Sequence, residues 1–204
     1  MISSLSSLLL WLIIMLLVEK PIQKNRFFTS PLFLSCLVGL VLAALFFLPL
    51  GEISLARWSA SLMSNTSIPL IGLLLVLLVE RLFSCTLFRP QDWKTAWMFG
   101  ACGGLLLYPA ALGLGRIDPY SWGWGNSPFF IVVGFLILIL LIAKNRFAIL
   151  LLVAIAAFDS QFQASTNLWD YLIDPIYAVI ALVMGIGALF FREKEKVRSH
   201  LFVP

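Results

Sequence analysis

The sequence predicts an all-α, polytopic integral membrane bundle of about seven transmembrane helices, with the N-terminus outside and the C-terminus cytoplasmic. Three observations predict it. Of 204 residues, 61% are hydrophobic and 12% charged, where a soluble domain carries about a quarter charged. The mean hydropathy is +1.02. The apolar residues fall into seven separate runs with short basic clusters between them, so the chain is read as solvated by lipid.

The runs long enough to cross a hydrocarbon core of about 30 Å are Ile2–Val18, Pro31–Leu50, Ile68–Phe88, Thr95–Gly115, Ser127–Ala143, Phe147–Ala164 and Pro175–Phe191. The first begins with serines and ends in Glu19-Lys20-Pro21. It lacks the basic start and small-residue cleavage site of a secretory signal, and reads as a retained span. The third is interrupted by Glu80 and Arg81, and the sixth carries Asp159. Glu80 and Arg81 point to different helix faces, and Arg81 can extend to the inner interface, so the pair reads as structural anchoring.

Orientation follows from the basic residues, which concentrate in cytoplasmic loops. Seven spans place Lys20, Lys24, Arg26, Arg81, Arg89, Lys94, Lys144, Arg146, Arg192, Lys194, Lys196 and Arg198 on one face. The other face receives only Arg57 and Arg116, beside Glu52, Asp118, Asp170 and Asp174. Removing any interior span would scramble that alternation. Residues 1–191 are thus expected to form the bundle and 192–204 a charged cytoplasmic tail, most simply in a bacterial inner (plasma) membrane. The longest outer connection, Gly51–Ser67, sets Ile53, Leu55, Trp58 and Leu62 among polar residues and suits a short interfacial helix.

Several function classes are excluded. The net charge of +4 is dispersed among short loops, so there is no nucleic-acid face. Cys36, Cys85 and Cys102 have neither CxxC spacing nor an even count, which gives no disulfide framework and no zinc site. The single histidine, His200, lies in the cytoplasmic tail, which removes histidine triads and histidine metal sites from the outer face. No metal, cofactor or catalytic residue is assigned.

Two kinds of constellation remain. Gly100 and Gly104 form a GxxxG pair in the fourth span, and Ala181 and Gly185 repeat the small-xxx-small spacing in the seventh. Such faces let helix backbones approach closely in lipid, and they are read as internal packing seams rather than a dimer contact. The second constellation is on the outer rim, where Arg116-Ile117-Asp118-Pro119-Tyr120-Ser121-Trp122 and Trp169-Asp170-Tyr171-Leu172-Ile173-Asp174-Pro175 each combine an Asp-Pro step with aromatics. In the second, Pro175 suits the first helical position and Asp174 the N-cap. Trp and Tyr at that height belong to the interfacial belt of any membrane protein, but the belt does not account for the carboxylates. Asp118, Asp159, Asp170, Asp174, Arg116, Tyr120, Trp122 and Trp169 are therefore the candidate binding residues. Asp159 reads equally as a functional carboxylate facing the bundle or as the polar end of a short helix.

The expected function is a non-enzymatic accessory or partner subunit of a cell-envelope system handling lipids or lipid-linked glycans at the outer leaflet. Two alternatives come from other classes: an enzyme acting on a lipid head group through the outer carboxylates, and a small transporter coupling an ion through Asp159. Expected partners are membrane lipids and a membrane protein or a second copy of the chain.

Overall fold

The computed structural model describes residues 11–15, 31–47, 49–50, 53–54, 66–114, 117–125 and 127–186. The fold is all-α. Its elements are α1 (Pro31–Phe47), β1 (Pro49–Leu50), β2 (Ile53–Ser54), α2 (Ile68–Phe83), α3 (Pro90–Ala111), a 3-10 turn (Pro119–Gly123), α4 (Pro128–Ile142), α5 (Phe147–Asp159) and α6 (Leu168–Leu172), followed by α7 over residues 175–186. Strand pairing among the described residues is confined to the antiparallel β1–β2 hairpin and one isolated bridge between Trp124 and Asn167.

Each of the seven apolar runs has helical residues among those described, and the helices of the second, third, fifth and sixth runs are shorter than the runs themselves. Among the described residues no helix is long and apolar enough to cross a membrane. Local chemistry sets the ends. Pro69, Pro90 and Pro128 each stand at the start of a helix, where a missing N–H costs nothing. The expected run to Phe88 stops at Phe83 because Ser84 turns left-handed at φ 50°. The run expected to reach Ala164 stops at Asp159, and Gln161 turns left-handed at φ 49°. The 22-residue α3 begins five residues before the expected Thr95, so that it carries Asp92 and Lys94 in its first turns.

The centre of the fold is α5, which packs against α2, α3, α4 and α6. Its inward face is Phe147, Ala148, Leu151 and Ala154, a helical 3–4 spacing of small and large residues. On α2 the buried set includes Leu70, Leu73, Leu74 and Leu78. By contrast α4 buries only Val133 and Ile137 and leaves Ile131, Val132, Phe135, Leu138, Ile139, Leu141 and Ile142 exposed. The stretch 11–15 seats on α1, where the indole N–H of Trp11 donates to the Gly39 carbonyl at 3.0 Å.

Along α3 the inward residues Asp92, Ala96, Gly100, Gly103, Gly104 and Leu107 form one stripe. The glycines of this stripe meet α6, α7 and the residue between them. A Cβ on Gly100 would lie 2.8 Å from the Ala181 Cβ and from the Tyr177 ring, and one on Gly104 would lie 2.5 Å from the Ala178 Cβ. Gly103 faces Ile173, and the Tyr177 hydroxyl donates to the Ala96 carbonyl at 2.7 Å. Gly185 is different, since a Cβ there would meet nothing within 4 Å. Gly104→Ala should therefore destabilise by about 1–3 kcal/mol through overpacking, despite the better helix propensity of alanine. Adding Ala178→Gly should recover most of that loss, read as unfolding midpoints in detergent. Additive effects of the two changes would contradict the contact.

At the opposite end from the acidic-aromatic segments, the 84–89 and 143–146 connections are latched together. Glu80 Oε1 accepts the N–H groups of Leu87 at 2.8 Å and Phe88 at 2.7 Å, so its role here is to hold the turn after α2. Asp92, which the sequence did not single out, is fully buried. Its carboxylate accepts from the Arg89 N–H at 2.8 Å, from the Arg89 guanidinium twice at 3.2 Å, and from the Arg146 N–H at 3.2 Å. The Arg89 guanidinium also donates to the Lys144 carbonyl and the Arg146 guanidinium to the Leu87 carbonyl. The Asn145 amide donates to Thr95 Oγ1 at 2.8 Å.

Candidate functional site

The two acidic-aromatic segments dock on one another. Asp118 precedes the 3-10 turn and caps it, accepting the Tyr120 N–H at 3.1 Å, while the Ser121 hydroxyl donates to the Asp118 carbonyl at 2.6 Å. Asn167 caps α6 in the same way, accepting the Trp169 N–H at 3.0 Å. The amide of Asn167 then reaches across to the Tyr120 carbonyl at 2.9 Å, and the Trp169 indole N–H reaches the Pro119 carbonyl at 2.9 Å. Gly123 makes this approach possible, because a Cβ there would lie 2.0 Å from Asn167 Oδ1. The Trp169 ring is buried and stacks on Phe129 with centroids 4.1 Å apart.

The carboxylates take part as hydrogen-bond acceptors. Asp170 lies 3.0 and 3.1 Å from the Tyr120 hydroxyl through its two oxygens and also receives the Ser165 hydroxyl. Asp174 is buried and clasps three donors: the Ser67 N–H at 2.8 Å, the Ser67 hydroxyl at 2.6 Å and the Tyr177 N–H at 2.8 Å. The last is the N-cap bond of α7 that the Asp-Pro step predicts. The bonds to Ser67 tie the start of α2 to the same place. Beside it the Gln163 amide donates to the Thr66 carbonyl at 2.8 Å, and the Tyr171 hydroxyl accepts the Gln163 N–H at 3.0 Å.

Of the predicted rim residues, Asp118, Tyr120, Trp169 and Asp170 are thus brought together, with Asp174 at the adjoining helix start. Trp122 is on the same turn but exposed. Asp159 is exposed, and its side chain makes no hydrogen bond or ion pair with any described residue. It is outside the network, and its geometry is that of a helix end. Arg116 and the tail from Arg192 lie outside the described residues. Ser67, Asn167, Gln163 and Ser165 are not among the candidate binding residues named from the sequence. Only Asn167 carried a local signal, an N-cap residue just before an apolar stretch.

Burial, then the charge of Asp170, its hydrogen bond to the phenol and the charge of Asp118, push the Tyr120 hydroxyl up to about 12 from an ordinary value of 10.0. Because the folded value is raised, the stabilisation is fully present below about pH 10 and is lost as pH rises through about 12. Tyr120→Phe should cost about 1 kcal/mol at neutral pH, the net worth of one such bond. The gap between the variant and the parent should close toward pH 12 in an alkaline unfolding series. A gap that stays constant over that range would contradict the assignment.

Comparison of the chain with protein-family models, with curated proteins and with solved structures finds no match.

Proposed function

We propose that the chain is a multi-pass membrane protein, N-terminus outside and C-terminus cytoplasmic, that serves as a non-enzymatic partner subunit of an envelope system handling lipids or lipid-linked glycans at the outer leaflet. The observation that carries the reading is the apolar exterior. On α4 the exposed side chains are aliphatic or aromatic over almost the whole helix, and Leu105, Leu106, Ile149, Val153, Val179 and Val183 are likewise exposed on α3, α5 and α7. Exposed apolar side chains in this number suit contact with a membrane or another protein. A helix of 15 residues is about 22 Å long, and a bilayer accommodates a short element by local thinning.

The partner role is supported by how the rim carboxylates are used. Asp118, Asp170 and Asp174 accept structural donors, so the rim is a preformed surface, displaying exposed Trp122, Trp124, Leu112, Leu114 and Ile117. A rigid, aromatic, acidic collar suits docking more than proton transfer. A reporter active only in the cytoplasm should give signal when fused after Arg146 and none after Asn126; the reverse pattern would overturn the orientation. Purification in detergent with crosslinking tests the rest, because a chain that purifies alone and turns over a lipid would overturn the partner-subunit reading.

A further inference from the structure

The contact between α3 and α7 opens toward the start of α3. Where Gly100 and Gly104 face Ala181 and Ala178 the backbones are close, but one turn past Ala181 the Gly185 position faces open space. The wedge left between the helices is a groove of about 730 Å3, within the range of roughly 300–1,000 Å3 of small-molecule sites. Its walls are apolar, among them Trp97, Met98 and Cys102 of α3 and Gly185 of α7, and Lys94 is the charged residue on its lining. Lys94 is exposed, and its side chain has no hydrogen bond or ion pair among the described residues. Beside it Trp93 and Trp97 stack with centroids 5.6 Å apart and planes at 21°.

A greasy slot with one cation at its end, flanked by stacked indoles, matches an amphiphile with an anionic head. A peptide loop would bring backbone donors and acceptors that these walls do not satisfy. A second copy in the same membrane would add its own basic rim to this one. We propose that the wedge binds one anionic phospholipid of the inner leaflet, its acyl chain between α3 and α7 and its phosphate on Lys94. The site rests on the membrane reading above and deepens it.

The test uses the full chain in nanodiscs of phosphatidylcholine containing an equal small fraction of either chain-brominated phosphatidylglycerol or chain-brominated phosphatidylcholine, with quenching of tryptophan fluorescence as the readout. Brominated phosphatidylglycerol should quench at about fivefold lower mole fraction, the order expected of one basic residue at an anionic surface. Lys94→Gln should erase that head-group preference while leaving the unfolding midpoint unchanged, since Lys94 is exposed. Gly185→Leu, which enters open space, should reduce quenching by both lipids. Trp93→Phe with Trp97→Phe should remove the component that differs between lipids. Equal quenching by the two lipids in the parent chain, or a preference that survives Lys94→Gln, would overturn the site. So would a Gly185→Leu chain whose particle mass falls from dimer to monomer, because the occupant would then be a second copy. Carbonate washing of cell membranes separates the two levels: a chain released from them overturns the membrane reading, whereas a chain retained without lipid preference overturns the lipid site alone.

Discussion

Asp174→Ala should destabilise the chain by about 3–5 kcal/mol, the largest loss expected from any single rim substitution. Three donors would lose their acceptor at once: the Ser67 N–H, the Ser67 hydroxyl and the Tyr177 N–H. Each buried polar group left unpaired costs about 1–3 kcal/mol, partly offset because a desolvated carboxylate is also removed. The loss joins two effects, an uncapped α7 and a freed start of α2. Asp174→Asn separates them, since one oxygen can still cap Tyr177 while the amide replaces an acceptor of the Ser67 donors. It should cost roughly half as much. Unfolding midpoints in detergent that place Asp174→Ala within about 0.5 kcal/mol of the parent would contradict the clasp.

Asp92→Ala should cost about 3 kcal/mol at neutral pH. Removing one member of a buried ion pair costs about 3–5 kcal/mol, and the lower end applies because the Arg89 side chain remains 39% exposed and keeps part of its hydration. Burial alone would raise the Asp92 pKa. The hydrogen bonds from the Arg89 side chain, the Arg89 N–H and the Arg146 N–H, with the Arg89 charge, outweigh it and hold the carboxyl below its ordinary 3.8. A depressed folded value gives stability that is fully present above the ordinary carboxylate value and is lost as pH falls through the folded one. The parent should therefore weaken in acid below about pH 4, while Asp92→Ala should show a flatter profile there. Parallel acid profiles for the two chains would contradict the assignment.

The positions of the longer helices were legible because an apolar run and its flanking prolines are local properties of the sequence, whereas the short α6 falls between two runs. Helix ends were less so. Ser84, Lys144 and Gln161 turn left-handed at φ 50°, 53° and 49°, and none is the glycine that would announce such a turn. The third and sixth runs continue in hydropathy past the point where the backbone leaves the helix, so those two spans read from hydropathy came out longer than α2 and α5. Within the rim, the cap made by Asp174 was readable from Asp-Pro alone, whereas its bonds to Ser67 join positions 107 apart. The pairing of Tyr120 with Asp170, 50 apart, was likewise beyond local pattern. Asp159 drew attention because a carboxylate in an apolar run is costly; the helix ends at that residue, so the cost is not incurred. Asp92 escaped notice because it stands among loop charges, and only the tertiary fold buries it.

The clasp at Ser67 also gives assembly an order in time. The start of α2 is synthesised well before its acceptor, and at about 5–20 residues per second the separation of 107 positions takes on the order of 5–20 s to span. Through that interval the N–H and hydroxyl of Ser67 lack the carboxylate that accepts them in the folded chain. Closing so long a loop is costly in chain entropy, so the end of the bundle that carries the clasp closes late. The last of the described helices to emerge is then the one that completes the first half of the molecule.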